Sequence, residues 1–266
     1  MRSEFEFIDH IKESFGLRDI GDDCAVLPKD AETDQVITVD MLVEDVDFRL
    51  RWTDPQSLGH KSLAVSLSDI AAMGADPKWA MLSIGIPETI WNSDFLDNFY
   101  NGWHQLADRY GVRLVGGDVS RVPDKLIIDS IVGGEVATGR AITRSGAKPG
   151  DIVFVSGSLG MAAAGLKLLE QGPMKSGIVD HGREELIACQ IRPEPRIELG
   201  QYLSKNGLAT AMIDISDGLS SDLAHICEAS EVGAIITNVP IDPNLPENFD
   251  DDASFDLALN GGEDFE

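Results

Sequence analysis

Apolar residues recur at helical spacing in Phe5, Ile8, Ile11 and Phe15, which predicts an opening amphipathic helix. Short apolar runs at 24–27 and 35–39 then predict two strands, the second rich in β-branched residues and ending at Asp40. Asp54 followed by Pro55 is a helix-start signal, and the helix is expected to run to about Met73 and stop at Gly74. The same reasoning predicts a strand over 80–86 and a helix over 94–110 closed by Gly111. A strand over 113–115 is expected to break at Gly116-Gly117-Asp118, and another follows over 126–132.

The stretch 141–150 is polar, basic and glycine-containing, and Lys148-Pro149-Gly150-Asp151 reads as a turn. A domain boundary is expected there, giving residues 1–140 and 141–266. Beyond it, strands are expected over 151–155, 211–213 and 234–237. Helices are expected from Gly160 to about Leu169, and over 184–190, 196–204 and 219–229. Strands and helices mix in both halves without a strict βαβ rhythm, so the fold class is α/β with mixed sheets, in two domains.

The chain has 266 residues, 43% hydrophobic and 25% charged, as expected of a globular protein able to bury a core. Its net charge of -25 repels nucleic-acid phosphates and anionic lipid, which argues against both as partners. The three cysteines Cys24, Cys189 and Cys227 lack metal-ligand spacing and read as free thiols in a reducing cytoplasm. The acidic start, with only short apolar runs, predicts no signal peptide, and no stretch approaches the roughly 20 apolar residues of a membrane span.

The acidic residues carry the candidate chemistry. Asp22-Asp23 falls in a turn; Asp40, Asp118 and Asp214 fall where apolar strands are expected to end; Asp217 precedes a helix. Strand ends are where α/β folds place ligand groups. Asp69 is the only charge in the segment 62–75 and shares a helix face with Ser62, Val65, Ser66 and Met73. Lys61, the nearest lysine, is two turns away, so a metal ion is the cheaper partner for a buried carboxylate. Any one of these aspartates reads as a turn former or cap. Together they would repel one another unless divalent cations intervene, and oxygen-only ligands favour Mg2+ over Zn2+.

No G-x-x-x-x-G-K-[ST] loop and no G-x-G-x-x-G after a strand occurs, so P-loop, protein-kinase and Rossmann readings lack support. The turn Gly157-Ser-Leu-Gly160 before a helix fits either a phosphate cradle or close helix packing. Arg144, in Thr143-Arg144-Ser145-Gly146, fits either a phosphate clamp or a solvated linker charge.

Seven motifs in order are Gly-Asp-Asp-Cys-Ala (21–25), Thr-Val-Asp-Met-Leu-Val (38–43), Leu-Ser-Asp-Ile-Ala-Ala-Met-Gly-Ala (67–75), Gly-Gly-Asp (116–118), Thr-Arg-Ser-Gly-Ala-Lys-Pro-Gly-Asp (143–151), Asp-Ile-Ser-Asp-Gly (214–218) and Gly-Gly-Glu-Asp-Phe-Glu (261–266). As a set, covering essentially the whole chain, they resemble the thiamine-monophosphate kinase family of the aminoimidazole ribonucleotide synthetase superfamily. The resemblance implies a cytoplasmic homodimer whose N-terminal sheets pair, with ATP held between two α/β domains through several Mg2+ ions. It implies Asp23, Thr38, Asp40, Asp69, Asp118, Asp214 and Asp217 as metal ligands. It implies Gly117, Asp118, Arg144 and Ser216 as ATP contacts, and Asp47 and Glu263 as contacts to thiamine monophosphate. Direct in-line phosphoryl transfer follows, with no nucleophile of the protein, and the five histidines are read as structural or surface residues.

Three departures stand out. Val39 and Asp47 occupy positions where the family often has Thr and His, and the chain stops inside the last motif at Glu266. An incomplete second domain and impaired or absent activity are therefore expected. Competing readings are a sister enzyme of the superfamily, a diguanylate cyclase suggested by Gly261-Gly262-Glu263-Asp264-Phe265, and a non-catalytic protein that only binds cations or nucleotide. Selenophosphate synthesis would need a reactive N-terminal Cys, and Cys24 sits inside the metal-binding turn.

Overall fold

The computed structural model describes residues 4–16, 21–172 and 181–266. The first half holds helix α1 (Glu4–Phe15), strands β1 (Ala25–Pro28) and β2 (Thr33–Val43), helix α2 (Pro55–Ala72) and strand β3 (Asp76–Pro87). It continues through helices α3 (Glu88–Trp91) and α4 (Phe95–Tyr110) into strands β4 (Arg113–Val122) and β5 (Ile127–Ala137). The second half holds helices α5 (Met161–Gln171), α6 (His181–Ile191), α7 (Ile197–Asn206), α8 (Leu219–Ala229), α9 (Leu245–Asn248) and α10 (Asp251–Asn260).

The five strands form one mixed sheet, ordered β1-β2-β5-β3-β4. Only β3 and β4 run parallel; the other neighbours are antiparallel. Helix α2 crosses one face of the sheet. Its start is set as the sequence predicts: Asp54 accepts the Ser57 amide at 3.0 Å and Pro55 opens the first turn. Leu58, Leu63, Leu67 and Ile70 are fully buried, and the helix is buried on every side except at a few positions. That is the pattern of a central helix rather than of a surface one.

Two glycines allow that burial. A Cβ on Gly59 would lie 1.9 Å from the Phe99 carbonyl oxygen, and one on Gly102 would lie 1.8 Å from the Gln56 carbonyl oxygen. The backbones of α2 and α4 therefore touch directly, and Phe99, Trp103 and Leu106 of α4 close over the contact. From the second half, Ile197 and Phe265 join this same core.

Several expectations need correction. Strand β2 does not end at Asp40, because its ladder with β5 continues to Val43 opposite Ile127. Strand β4 does not break at the glycines. It keeps pairing with β3 to Val122, with a bulge at Ala80/Met81 absorbing the irregularity. The strands expected over 151–155, 211–213 and 234–237 do not form among the described residues. Those segments find no ladder partner, and Ile152, Phe154 and Ile235 stay exposed at 91%, 78% and 87%. A β-prone sequence becomes a strand only where a neighbour supplies the ladder. Helix α10 was not anticipated; its amphipathic signal is weak, although Asp250 caps it through the Ala253 amide.

The α2–α4 contact predicts that Gly59→Ala lowers stability by about 1–3 kcal/mol. Gly233, with nothing within 4 Å of a built Cβ, should tolerate Gly233→Ala within about 0.5 kcal/mol. Urea midpoints of both variants check this.

Candidate metal and nucleotide site

Helix α2 presents Ser66, Ser68 and Asp69 near the sheet, where β2 contributes Thr38 and Asp40 on its covered face. The turn before β1 supplies Asp23, and the segment before α8 supplies Asp214 from the second half. Asp23, Asp69 and Asp214 each offer a carboxylate oxygen, all within 4.8 Å of one another. The Thr38 hydroxyl donates to Asp69 Oδ2, and Ser66 Oγ donates to Asp40 Oδ2 at 2.6 Å. Arg144 donates to Asp23 Oδ1 from Nη2 at 2.5 Å and from Nε at 3.2 Å. Its own amide donates to Asp22 Oδ1 at 2.7 Å. Arg144 is therefore no free linker charge.

Burial pushes the Asp23 carboxyl up to about 6, with Arg144 opposing. Burial, then repulsion from Asp23, pushes Asp214 up to about 8. Asp69 is pushed well above the ordinary range by burial and by Asp40, Asp214 and Asp23; Asp40 is raised mainly by burial. Among the described residues, Asp23 Oδ2 and Asp214 Oδ2 are buried without a hydrogen-bond partner. Buried carboxylate oxygens left bare are costly. An all-oxygen set that converges this closely, with two bare atoms, fits a hard divalent cation such as Mg2+. Burial and the surrounding carboxylates also push the Cys24 thiol up, which removes it as a nucleophile.

The other expected residues fall around this centre. Asp118 is exposed on β4, where its carboxylate accepts from Ser120 Oγ at 3.2 Å, and it is not part of the three-carboxylate group. With Gly116 and Gly117 it lines a cavity of about 420 Å3, together with Leu82, Tyr100, Leu114 and Val119. Nothing in the sequence singles out Tyr100, which lines this cavity with Gly117 only through the fold. Asp217 lies in a second group with Asp222 and His225. Asp222 Oδ2 accepts the amides of Asp217 and Gly218, fixing the turn that carries Ser216. Asp47 Oδ2 accepts the Val43 amide at 2.7 Å and closes the turn after β2. Glu263 receives Lys61 Nζ at 2.9 Å, and its amide donates to the Ser216 carbonyl at 2.8 Å.

The Gly157–Gly160 turn is not an open phosphate cradle. Asp264 accepts the amides of Gly160 at 2.6 Å and Ala162 at 3.0 Å, so a carboxylate of the chain already occupies that helix start. A larger cleft of about 500 Å3 is lined by Arg109, Tyr110 and Arg196. Its arginines are paired with Glu194 and Glu266, and it shares no residue with the carboxylate centre.

Comparison with known proteins places this geometry in a family. The N-terminal domain of AIR synthase related proteins matches residues 21–143, and the C-terminal domain matches 148–256. The thiamine-monophosphate kinase of Bacillus subtilis (strain 168) is 41% identical over 251 residues, covering 93% of this chain and 75% of that protein. The one from Escherichia coli (strain K12) is 41% identical over 249 residues, covering 93% and 74%. A solved structure described as AaThiL complexed with AMPPCP and TMP superimposes with a TM-score of 0.89 at 34% identity, covering 100% of this chain and 85% of that one. The Stenotrophomonas maltophilia K279a thiamine-monophosphate kinase gives 0.82 at 39% identity, covering 99% and 84%.

Raised carboxyl pKa values fix the sign of a pH effect. The folded protein holds protons that the unfolded chain releases near pH 4, so metal-free stability is fullest below that and falls as pH rises towards about 8. The thermal midpoint without divalent cations should therefore drop from pH 5 to pH 8. Millimolar Mg2+ should remove most of that drop, and Asp214→Asn should flatten it. Differential scanning calorimetry at both pH values decides the matter.

Proposed function

We propose that this chain, which belongs to the thiamine-monophosphate kinase family of AIR synthase related proteins, transfers the γ-phosphoryl group of ATP to thiamine monophosphate, giving thiamine diphosphate and ADP. The observation that carries the reading is the convergence of Asp23, Asp69 and Asp214 within 4.8 Å, in a chain that is 41% identical to curated enzymes of this name. The residues proposed to hold Mg2+ are Asp23, Thr38, Asp40, Asp69, Asp118, Asp214 and Asp217. Bound there, Mg2+ supplies charge neutralisation for the phosphates and for the negative charge that shifts during transfer.

The chain's own groups have positioning roles. Thr38 and Ser66 orient Asp69 and Asp40 by donating to one oxygen of each, which leaves the other oxygens to face a cation. Arg144 is aligned by Asp23 at the edge of the centre, where a guanidinium can meet phosphate oxygens. Gly117 and Asp118 line the cavity with Tyr100, whose ring offers a nucleoside base an aromatic wall. Ser216, carried on the turn fixed by Asp222, completes the nucleotide contacts, and Asp47 and Glu263 face thiamine monophosphate. No covalent intermediate on the protein is needed, because in-line transfer between two bound phosphates requires alignment and charge compensation.

A homodimer formed through the open face of the sheet completes the proposal. Val39 and Met41 on β2 are 62% and 61% exposed, and Met81 on β3, set level with Val39 through Ile131, is exposed on the same face. An apolar surface of this kind marks an association site, and a second copy would cover it. A cytoplasmic location suits the free cysteines; among the described residues, no helix is long and apolar enough to cross a membrane.

Product analysis after incubation with ATP, Mg2+ and thiamine monophosphate should yield thiamine diphosphate and ADP in equal amounts. Asp69→Asn should lower that rate by about 10²-fold or more with unchanged circular dichroism, and a near-normal rate would sink the metal-centre reading. Met41→Glu should shift the sedimentation coefficient from dimer to monomer.

A further inference from the structure

We propose that Lys61 is the positioning residue that aims the Glu263 carboxylate at the substrate; this rests on the reading of Glu263 as a thiamine monophosphate contact. Lysine is rarely buried without a purpose-built partner, yet Lys61 is 2% exposed. Its Nζ lies 2.9 Å from each Glu263 oxygen and 3.2 Å from the Gln190 carbonyl. The three donors of the ammonium are thus matched by three acceptors. Gln190 adds a second donor, Nε2, to Glu263 Oε2. Oε2 is therefore held twice and Oε1 once, while the Glu263 side chain keeps 29% of its surface exposed. The result is a carboxylate anchored at both oxygens, more firmly at Oε2, with part of its surface left open.

The backbone beneath it is equally constrained. Glu263 has φ 67, in the left-handed region that non-glycine residues rarely adopt. Its amide is tied to the Ser216 carbonyl, and a Cβ on Gly262 would meet that same oxygen at 2.3 Å. A strained residue pinned at its amide and at its carboxylate is preorganised, which is what recognition of a cationic ring and amine donors such as those of thiamine requires. Lys61 and Asp69 stand eight residues apart on one helix, about 12 Å along its axis. One rigid element therefore carries both the metal carboxylate and the support for Glu263. That separation suits an extended molecule with a phosphate at one end and a ring at the other.

Titration calorimetry on the whole chain tests this, with thiamine monophosphate added in the presence of Mg2+ and AMPPCP, and with AMPPCP added alone. Lys61→Met should weaken thiamine monophosphate binding about tenfold and leave AMPPCP affinity within about twofold. The Lys61→Met/Glu263→Gln double variant should bind no more weakly than Glu263→Gln, because the lysine acts through the glutamate. Lys61→Gln, which keeps a donor and loses the charge, should fall between wild type and Lys61→Met, and it serves as the test should Lys61→Met not fold. Equal weakening of both ligands, wild-type thiamine monophosphate affinity in either lysine variant, or additive losses in the double variant would reduce Lys61 to a structural residue. If the wild-type chain binds AMPPCP but not thiamine monophosphate, the reading of Glu263 fails and the proposal falls with it. If the wild type binds and Lys61→Met binds equally well, only the proposal falls.

Discussion

Three carboxylates held within 4.8 Å cannot all stay ionised in a buried place without positive charge beside them. The rest of the structure turns on that constraint. Asp23 and Asp69 come from the first half of the chain and Asp214 from the second, so the arrangement exists only because the halves share a core that includes Ile197 and Phe265. Apolar burial holds the acids together, and the acids resist. Arg144 relieves one of them, reaching Asp23 from the segment that joins the halves. Protons relieve the others.

The surroundings are built from groups that add no further negative charge. Hydroxyls of Thr38 and Ser66 each occupy one oxygen of a carboxylate and add no charge. The one thiol inside the cluster, Cys24, is held protonated by the same burial and negative field that act on the aspartates. These surroundings support the proposed hard cation by what they lack as much as by what they present.

Much of this was legible in the sequence because it rests on local rules. Asp54-Pro55 started α2, and Gly111, in the left-handed conformation, stopped α4. Asp69 stood out as a lone charge in an apolar helix, and the structure brings it to Asp23 and Asp214. What stayed hidden depends on partners far along the chain. Lys61 meets Glu263 across 202 residues, while two turns of helix separate it from Asp69. The continuation of β2 past Asp40 and of β4 past Gly117 is decided by β5 and β3 rather than by the residues themselves. The second-half segments rich in Val and Ile have the composition of strands and, among the described residues, no neighbour to pair with. Asp264 read as part of a motif, while its place on the start of α5 is a tertiary fact.

The direct backbone contact of α2 with α4 has a mechanical consequence. Where Gly59 and Gly102 meet carbonyl oxygens, no side chain can change rotamer to let one helix slide or roll against the other. Asp69 is therefore a fixed datum in the molecule. Any adjustment of the carboxylates to ions of different radius must come from the turn carrying Asp23 and the segment carrying Asp214, which approach the helix from opposite halves like the jaws of a vice against its anvil.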